Sequence, residues 1–562
     1  MGLFAQVESP PGKAFARQKS AVRIRSPPLP RNGRSDGRSC GSARDPDGPE
    51  RPYRGEASSP CSTTGGLRIH PARRELSYGK LASSRSSREI DTIKAVRPLI
   101  LALLVGSTTV ALWLDPRRRW HDAALVVALG SFATLMGLEW RQPLIRLRTV
   151  LLVAALLLGM AVAAPPRESQ DVWAYAMYGR IQAVHHANPY EEEPSRFRSD
   201  PYLGRVFPAW RGRPALYGPL FTGLTAVVVE TAGASPTSVR LAFQLLALFA
   251  LLGCLPLVAA RTGDARAVMF LAWNPLITVD VVNGAHNDML VGLFILAALL
   301  LVERRRHALA GLILAAAVTV KAPALLPAGA LALWAWRSHG WRRGAALGLI
   351  AGGGGLLGYL AAGKAALKSV SGASHLVSPY SIWSLPRMLH LVSSGSPSQG
   401  LPPVNQLLLT MAVPCAVGIG LFLAVAQLRR PTPVLAVAGA AVGYALAATY
   451  VVPWYFTWAL PALALEWRRP MAWVAEIAAA TLLMAYLTTG SAFQPHGVVS
   501  LGDRQATLVF LVWECLAILA LIVASARGLS GRGLGLGPLE RAPSESAPMK
   551  PSAGSPIRPN ES

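Results

Sequence analysis

The sequence predicts an all-α polytopic membrane protein, a bundle of about 13–14 transmembrane helices with a large outer loop carrying interfacial helices. Three observations predict it. Of the 562 residues, 52% are hydrophobic and only 15% are charged. Apolar runs of about 15–24 residues recur along the chain, the length a helix needs to cross hydrocarbon with its backbone satisfied internally. The short loops between them gather arginine, as cytoplasmic loops do. The net charge of +25 therefore belongs to loops and to an N-terminal tail, and no nucleic-acid partner is read from it.

Residues 1–95 hold 18 basic and 9 acidic residues in an Arg/Ser/Pro/Gly-rich tail without periodic apolar pattern. Such a tail cannot bury enough surface to offset chain entropy and reads as disordered. No compact apolar region with a cleavage site marks it as a secretory signal. The membrane domain follows over 96–526. Its first spans are expected near 97–114, 122–139 and 146–164, and a long loop then occupies 165–214. Residues 215–232 form an apolar stretch opened by Tyr217-Gly218-Pro219. Further spans follow at about 238–260, 267–282, 287–302, 308–320, 324–336, 342–361, 404–427, 432–450, 454–466, 470–488 and 506–525. The tail 527–562 is again Gly/Pro/Ser-rich and reads as disordered. The five cysteines are scattered singly and indicate neither disulfides nor a metal cluster.

Loop charge sets the orientation. Arg141/Arg146/Arg148, Arg261/Arg266, Arg304–Arg306, Arg337/Arg342/Arg343, Arg429/Arg430 and Arg468/Arg469 fall on one side if 215–232 is re-entrant or interfacial. That side is cytoplasmic, both termini are inside, and the Arg117–Arg119 run is an exception on the outer side. The chain is then a multi-pass integral membrane protein. Its unusual polar residues gather in the outer loops 165–214, 283–288, 321–323, 362–403, 451–455 and 489–504, which places a site on the outer face.

Within the first of these loops, Ser169–Tyr190 reads as a short helix leaving the membrane and ending at Asn188-Pro189. Asp171, Tyr175, Tyr178 and Gln182 recur at helical spacing on one face. Trp173, Met177 and Arg180 fall on another, suited to a lipid interface. With Ser169 as cap, Asp171 occupies the first turn, where the helix dipole favours a carboxylate. The bland alternative is a surface anchor. Further along, Trp273-Asn274-Pro275-Leu276 breaks a helix before the polar turn Asn283-Gly284-Ala285-His286-Asn287-Asp288, although an Asn-Gly turn is also an ordinary helix start. Lys321 sits at a hairpin broken by Pro323, where it either meets a lipid phosphate or snorkels. The aromatic cluster Tyr450–Trp458, with Trp454 and Tyr455, is an interface belt or a surface for sugar and prenyl groups. Lys364, Lys368, His375, Arg387 and His390 add positive charge in the 362–403 loop. Glu191–Glu193 reads as a solvated turn, because consecutive carboxylates point apart.

The ordered motifs DVWAYAMYGR…NPY, ALYGPL, WNPL…NGAHND, VKAP and VVPWY, over about 165–470, resemble the bacterial polyprenyl-phosphate-mannose-dependent mannosyltransferases. These belong to the glycosyltransferase C superfamily, close to glycosyltransferase family 87 and the mycobacterial α-1,6-mannosyltransferases. The resemblance implies a glycosyltransferase-C-like bundle in the bacterial inner membrane that takes a lipid-linked sugar, with an essential acid in the first large outer loop. Asp171 matches that acid. The usual Gly-Gly-His-Asn-Asp stands here with Ala285 in place of a glycine. Transfer from a β-linked mannosyl phosphate needs a base for the acceptor proton, the role expected of Asp171. The leaving phosphate needs cations, for which Lys321 and Arg180 are the candidates. Tyr175, Tyr178, Tyr217, His286, Asn287, Asp288, Trp454 and Tyr455 are the candidates for holding substrate. One displacement on the far face inverts the sugar to an α linkage. The expected partners are a polyprenyl-phosphate-linked sugar, a glycolipid or glycan acceptor and membrane lipid. No cofactor is indicated, with a divalent metal left open. The alternatives are a transporter or flippase of a lipid-linked saccharide, or the same chemistry with another sugar such as arabinose.

Overall fold

The computed structural model describes residues 94–114, 119–167, 169–374, 376–386, 389, 406–488 and 501–529, all within the unit Glu75–Ser562. The two tails outside those limits, Arg117-Arg118, His375, Arg387, His390 and most of the 489–504 loop lie outside the described residues. The described secondary structure is helical: α1 Lys94–Trp113, α2 Arg119–Arg141, α3 Leu147–Ala163, α4 Asp171–Ala183, α5 Pro219–Ala232, α6 Pro236–Thr262 and α7 Ala265–Ala272. After a π-helical segment, Leu276–Val282, come α8 Asp288–Glu303, α9 His307–Val320, α10 Leu325–His339, α11 Trp341–Ala361 and α12 Lys364–Ser374. The described chain closes with α13 Gln406–Gln427, α14 Val434–Ala447, α15 Pro470–Thr488 and α16 Leu501–Leu529.

Among the described residues six helices are long and apolar enough to cross a membrane, and the pair α7 plus Leu276–Val282, bent by 47°, makes a seventh crossing if it is one broken span rather than a re-entrant loop. The expectation of about 14 crossings therefore rests on the shorter apolar helices as well. The bend falls at Asn274-Pro275, where proline removes an amide donor and crowds the preceding turn. Asn274 Oδ1 takes the Leu276 N–H at 3.0 Å, which restores a partner at the break. Prolines at the starts of α5 and α6 occupy the position where a missing N–H costs nothing.

The helix α4 is not a surface anchor. Tyr175, Ala176, Met177 and Ile181 are buried to 0% and Arg180 to 9%, because α4 packs on α5 and touches α6. The close approach depends on Gly179, where a Cβ would lie 2.3 Å from the Thr225 carbonyl oxygen. The face containing Met177 and Arg180, expected at a lipid interface, thus lies in protein. At the start of α5, Gly218 is pressed equally close to the Thr319 carbonyl and donates its N–H to Val320 O at 3.0 Å. This ties the Tyr217-Gly218-Pro219 motif to the Val320-Lys321 turn.

Polar groups collect at two opposite ends of the helices. At one end Arg261 pairs with Glu303 at 2.7 Å, and Arg266 pairs with Asp264, which also accepts from Trp467. Arg97 reaches Glu139 at 3.1 Å in the same layer. α10 then runs from Arg337 and His339 back to Lys321, where the second polar layer begins.

Candidate active site

Four hydrogen-bonded tethers build the site. The end of α3 is held by Asn283, whose Nδ2 donates to Ala161 O and Ala164 O at 2.8 and 2.9 Å. Gln244 donates to the same Ala164 carbonyl and to Asn283 O. The polar turn 283–288 is thereby fixed beside the start of α4. In the long loop, Tyr190 donates to Tyr217 O at 2.9 Å, and Ala215 N donates to Pro189 O. Ser381 and Trp383 donate to Ala448 O and Ala447 O, which closes the far wall.

Asp171 opens α4, its N–H donated to Ser169 Oγ at 3.2 Å, with Gln170 at the capping position. Its Oδ1 accepts from Trp210 Nε1 at 3.1 Å, and its Oδ2 lies 3.9 Å from His286 Nδ1. Burial pushes the carboxyl up to about 6, helped by the Asp288 charge and opposed by Lys321 and the Trp210 hydrogen bond. A carboxyl titrating there is ionised at neutral pH yet remains a usable base. Burial and the Lys321 charge hold the His286 imidazole well below its usual range, so it is neutral. Its ring stacks on Trp454, centroids 3.7 Å apart.

Lys321 Nζ donates to both oxygens of Asp288, at 2.7 and 2.8 Å, and Trp458 Nε1 donates to Asp288 Oδ1 at 2.6 Å. The ammonium stands 4.6 Å from the Tyr455 ring centroid and 5.7 Å from those of Tyr217 and Trp458. An aromatic box of this kind stabilises the cation while its partner carboxylate is fully buried.

These groups form the head of a cavity of about 900 Å³. Asp171, Trp210, Tyr217, Lys321, Trp454 and Tyr455 line the head, and the rest is mostly apolar, with Thr449 and the rings of Tyr359, Tyr444 and Tyr450 among it. Leu325, Gly329, Ala332, Leu333 and Trp336 share one face of α10 along the groove, opposite Gly348 of α11 and Val413, Val417 and Leu421 of α13. From Leu325 to Trp336 the groove extends roughly 16 Å at the helical rise.

Asp171, Tyr217, Lys321, Trp454 and Tyr455 meet at the cavity head. His286 and Asp288 lie directly behind it, fully buried. Asn287 is 2% exposed, and neither of its amide atoms has a hydrogen-bond partner among the described residues. Tyr175 is fully buried with its hydroxyl 3.5 Å from His286 Nδ1, and Tyr178 donates to Arg213 O. Arg180 is not brought to the cavity. It is held by Asp200, Nε to both carboxylate oxygens at 3.0 and 2.9 Å, and lies over the Tyr202 ring. Gln182 is exposed, and Lys364 and Lys368 are exposed away from the lining. Glu192 of the acidic run pairs with Arg196. Among the described residues no group of three His, Cys, Asp or Glu side chains is placed to hold a metal ion.

Sequence reasoning missed Trp210 and Arg213. Both lie in an irregular part of the loop that carries no periodicity. Arg213 is exposed near the head, its charge acting on Tyr178 and Tyr450. It also missed Asp280, although a lone acid in the apolar run Leu276–Val282 is itself a signal.

Residues 104–338 match the family described as alpha-(1->6)-mannopyranosyltransferase, N-terminal domain, a stretch that holds Asp171, Tyr217, His286, Asp288 and Lys321. The Mycobacterium tuberculosis protein named alpha-(1->6)-mannopyranosyltransferase A is 27% identical over 221 residues, 38% of this chain and 41% of that protein. A second M. tuberculosis alpha-(1->6)-mannopyranosyltransferase is 32% identical over 138 residues, 23% of each chain. The Corynebacterium glutamicum alpha-(1->6)-mannopyranosyltransferase A is 26% identical over 178 residues, 29% of this chain and 34% of that protein. The chain spans about two fifths or less of the length of these curated relatives. No solved structure matches it. These matches bear out the resemblance to the mannosyltransferases at modest identity, and the motif VVPWY lies beyond the matched stretch 104–338.

Proposed function

We propose that this chain is a membrane mannosyltransferase that moves mannose from a polyprenyl phosphate mannose to a hydroxyl of a glycolipid or glycan, at the outer face, inverting the anomeric carbon to an α linkage. The observation that carries the reading is the cavity, which joins a half-buried carboxylate and a cation at one head to a long apolar groove. A sugar phosphate on a prenyl chain has that same division, a charged head on an apolar tail. The names of the relatives supply the sugar.

Asp171 takes the proton of the acceptor hydroxyl as that oxygen attacks the anomeric carbon from the side opposite the phosphate. The bond from the anomeric carbon to the phosphate oxygen breaks, and polyprenyl phosphate leaves with the bonding electrons. Trp210 orients the carboxylate through its 3.1 Å hydrogen bond. Lys321 opposes the charge developing on the phosphate, and Arg213 adds a second cation near the head. The rings of Tyr217, Tyr455 and Trp454 offer apolar faces with polar edges to the sugar. The groove along α10 takes the prenyl chain, which excludes water from the head and strengthens these electrostatic effects.

The test is transfer of label. Membranes carrying this chain and supplied with polyprenyl phosphate labelled in its mannose should move label into a glycolipid or glycan fraction, and control membranes should not. Equal incorporation in both overturns the reading.

A further inference from the structure

Asp280 lies inside the π-helical segment Leu276–Val282 and is fully buried. π-helical geometry is rare and concentrates at functional sites. An acid in an apolar membrane segment is costly and is retained where it acts on a partner. One group that it faces is His286. Asp280 Oδ1 is 4.0 Å from His286 Nε2, while His286 Nδ1 is 3.9 Å from Asp171 Oδ2 and 3.5 Å from the Tyr175 hydroxyl. The three side chains form a line from the membrane segment to the cavity head. Stacking on Trp454, 14° from parallel, fixes the plane of the imidazole. Gly284 keeps the line open, since a Cβ there would stand 2.1 Å from Asp280 O and 3.0 Å from His286 Cδ2.

We propose that Asp280 is a positioning residue that, through His286, keeps Asp171 basic. This rests on the reading of Asp171 as the base of the transfer. The imidazole is neutral and carries one proton. At 4.0 Å the contact is electrostatic rather than a hydrogen bond, and an ionised Asp280 facing Nε2 favours the proton there and leaves a lone pair on Nδ1, toward Asp171 and Tyr175. Nδ1 then accepts from Tyr175 and donates nothing to Asp171. Without Asp280 the other tautomer becomes accessible, and its Nδ1–H stabilises the Asp171 carboxylate and weakens it as a base. The charged and titratable groups facing this line from the surrounding elements are Asp171 and Tyr175 of α4, Asp288 of α8, Lys321 and Tyr455.

The test uses the purified full chain with polyprenyl phosphate mannose as donor. Asp280→Asn should lower kcat about tenfold or more, with KM within about twofold, and should move the acid limb of the pH–rate profile to lower pH. In a His286→Gln background the same substitution should cost nothing further, because the intermediary is gone. Asp280→Ser, which admits water beside Nε2, should behave as Asp280→Asn does. Retention of kcat within about threefold in Asp280→Asn or Asp280→Ser overturns the proposal, as does an equal cost in both backgrounds. Failure of both Asp280 variants to accumulate while His286→Gln accumulates normally places Asp280 in folding and also overturns it. Asp171→Asn run alongside separates the two ideas. Full activity there defeats the base assignment itself, whereas its loss with Asp280→Asn unaffected defeats only the positioning role.

Discussion

Replacing Lys321 by methionine tests how the cavity head is held together. Asp288 is fully buried, and both its oxygens accept from Lys321 Nζ, with one more hydrogen bond from Trp458. Methionine keeps the apolar stem and much of the volume within the ring box of Tyr217, Tyr455 and Trp458, so packing changes little. What is lost is the charge that compensates a buried carboxylate, and breaking such a pair costs about 3–5 kcal/mol. Neutralising both partners in Lys321→Met/Asp288→Asn should recover at least half of that loss, since no unpaired charge remains. Denaturant titration of the detergent-solubilised chain, followed by tryptophan fluorescence, measures both. A cost below about 1 kcal/mol for the single variant, or a double variant no better than the single, refutes the pair as an anchor of the head. Donor use gives a separate reading: Lys321→Arg should retain more of it than Lys321→Ala by keeping the charge.

Three further outcomes follow from the geometry. Because Asp171 must be ionised to take a proton and its carboxyl is pushed up to about 6, kcat/KM should fall as pH drops below about 6. Asp288→Asn should move that limb to lower pH by removing a charge that raises Asp171, and unchanged activity of the wild type down to pH 5 contradicts this. Ala285 stands at φ 62°, a left-handed conformation that costs a non-glycine residue about 1 kcal/mol. Ala285→Gly should therefore raise stability by a few tenths of a kcal/mol to about 1 kcal/mol, and a measured loss of stability contradicts the strain. Gly329→Phe fills open space in the groove, where no atom lies within 4 Å of an added Cβ. It should raise KM for a long-chain prenyl donor about tenfold and much less for a short-chain donor, and equal effects on both argue against a chain in the groove.

Much of the site was legible because the motifs carry their own structural reasons. Pro275 breaks a helix, Asn283 and Gly284 make a turn, and Gly218 lets α5 approach α9. A local sequence pattern is enough to place each of these. Loop charge also indicated that Asp171, Lys321 and Tyr455 lie on one side, and they meet at one cavity together with Tyr217. That Arg180 would be held away from the cavity was not legible, because helical spacing gives a side chain's direction without its neighbours. Asp200, twenty residues on in an irregular loop, takes it up. The same irregular loop hid Trp210, whose contact with Asp171 spans 39 residues and leaves no periodic trace. The pairing of Lys321 with Asp288 joins two motifs each noticed singly, and only packing reveals that they share one ion pair. The apolar groove was invisible for a different reason: α10, α11 and α13 read as plain spans, and a cavity between them depends on how they are tilted.

The central claim is that Asp171 is the base of the transfer. Asp171→Asn keeps the size of the side chain and can still accept from Trp210, but it cannot take a proton. Initial rates of mannose transfer from polyprenyl phosphate mannose, at matched protein level in membranes, should fall about 10²–10⁴-fold in this variant while expression and insertion stay normal. Turnover within about threefold of wild type would contradict the account.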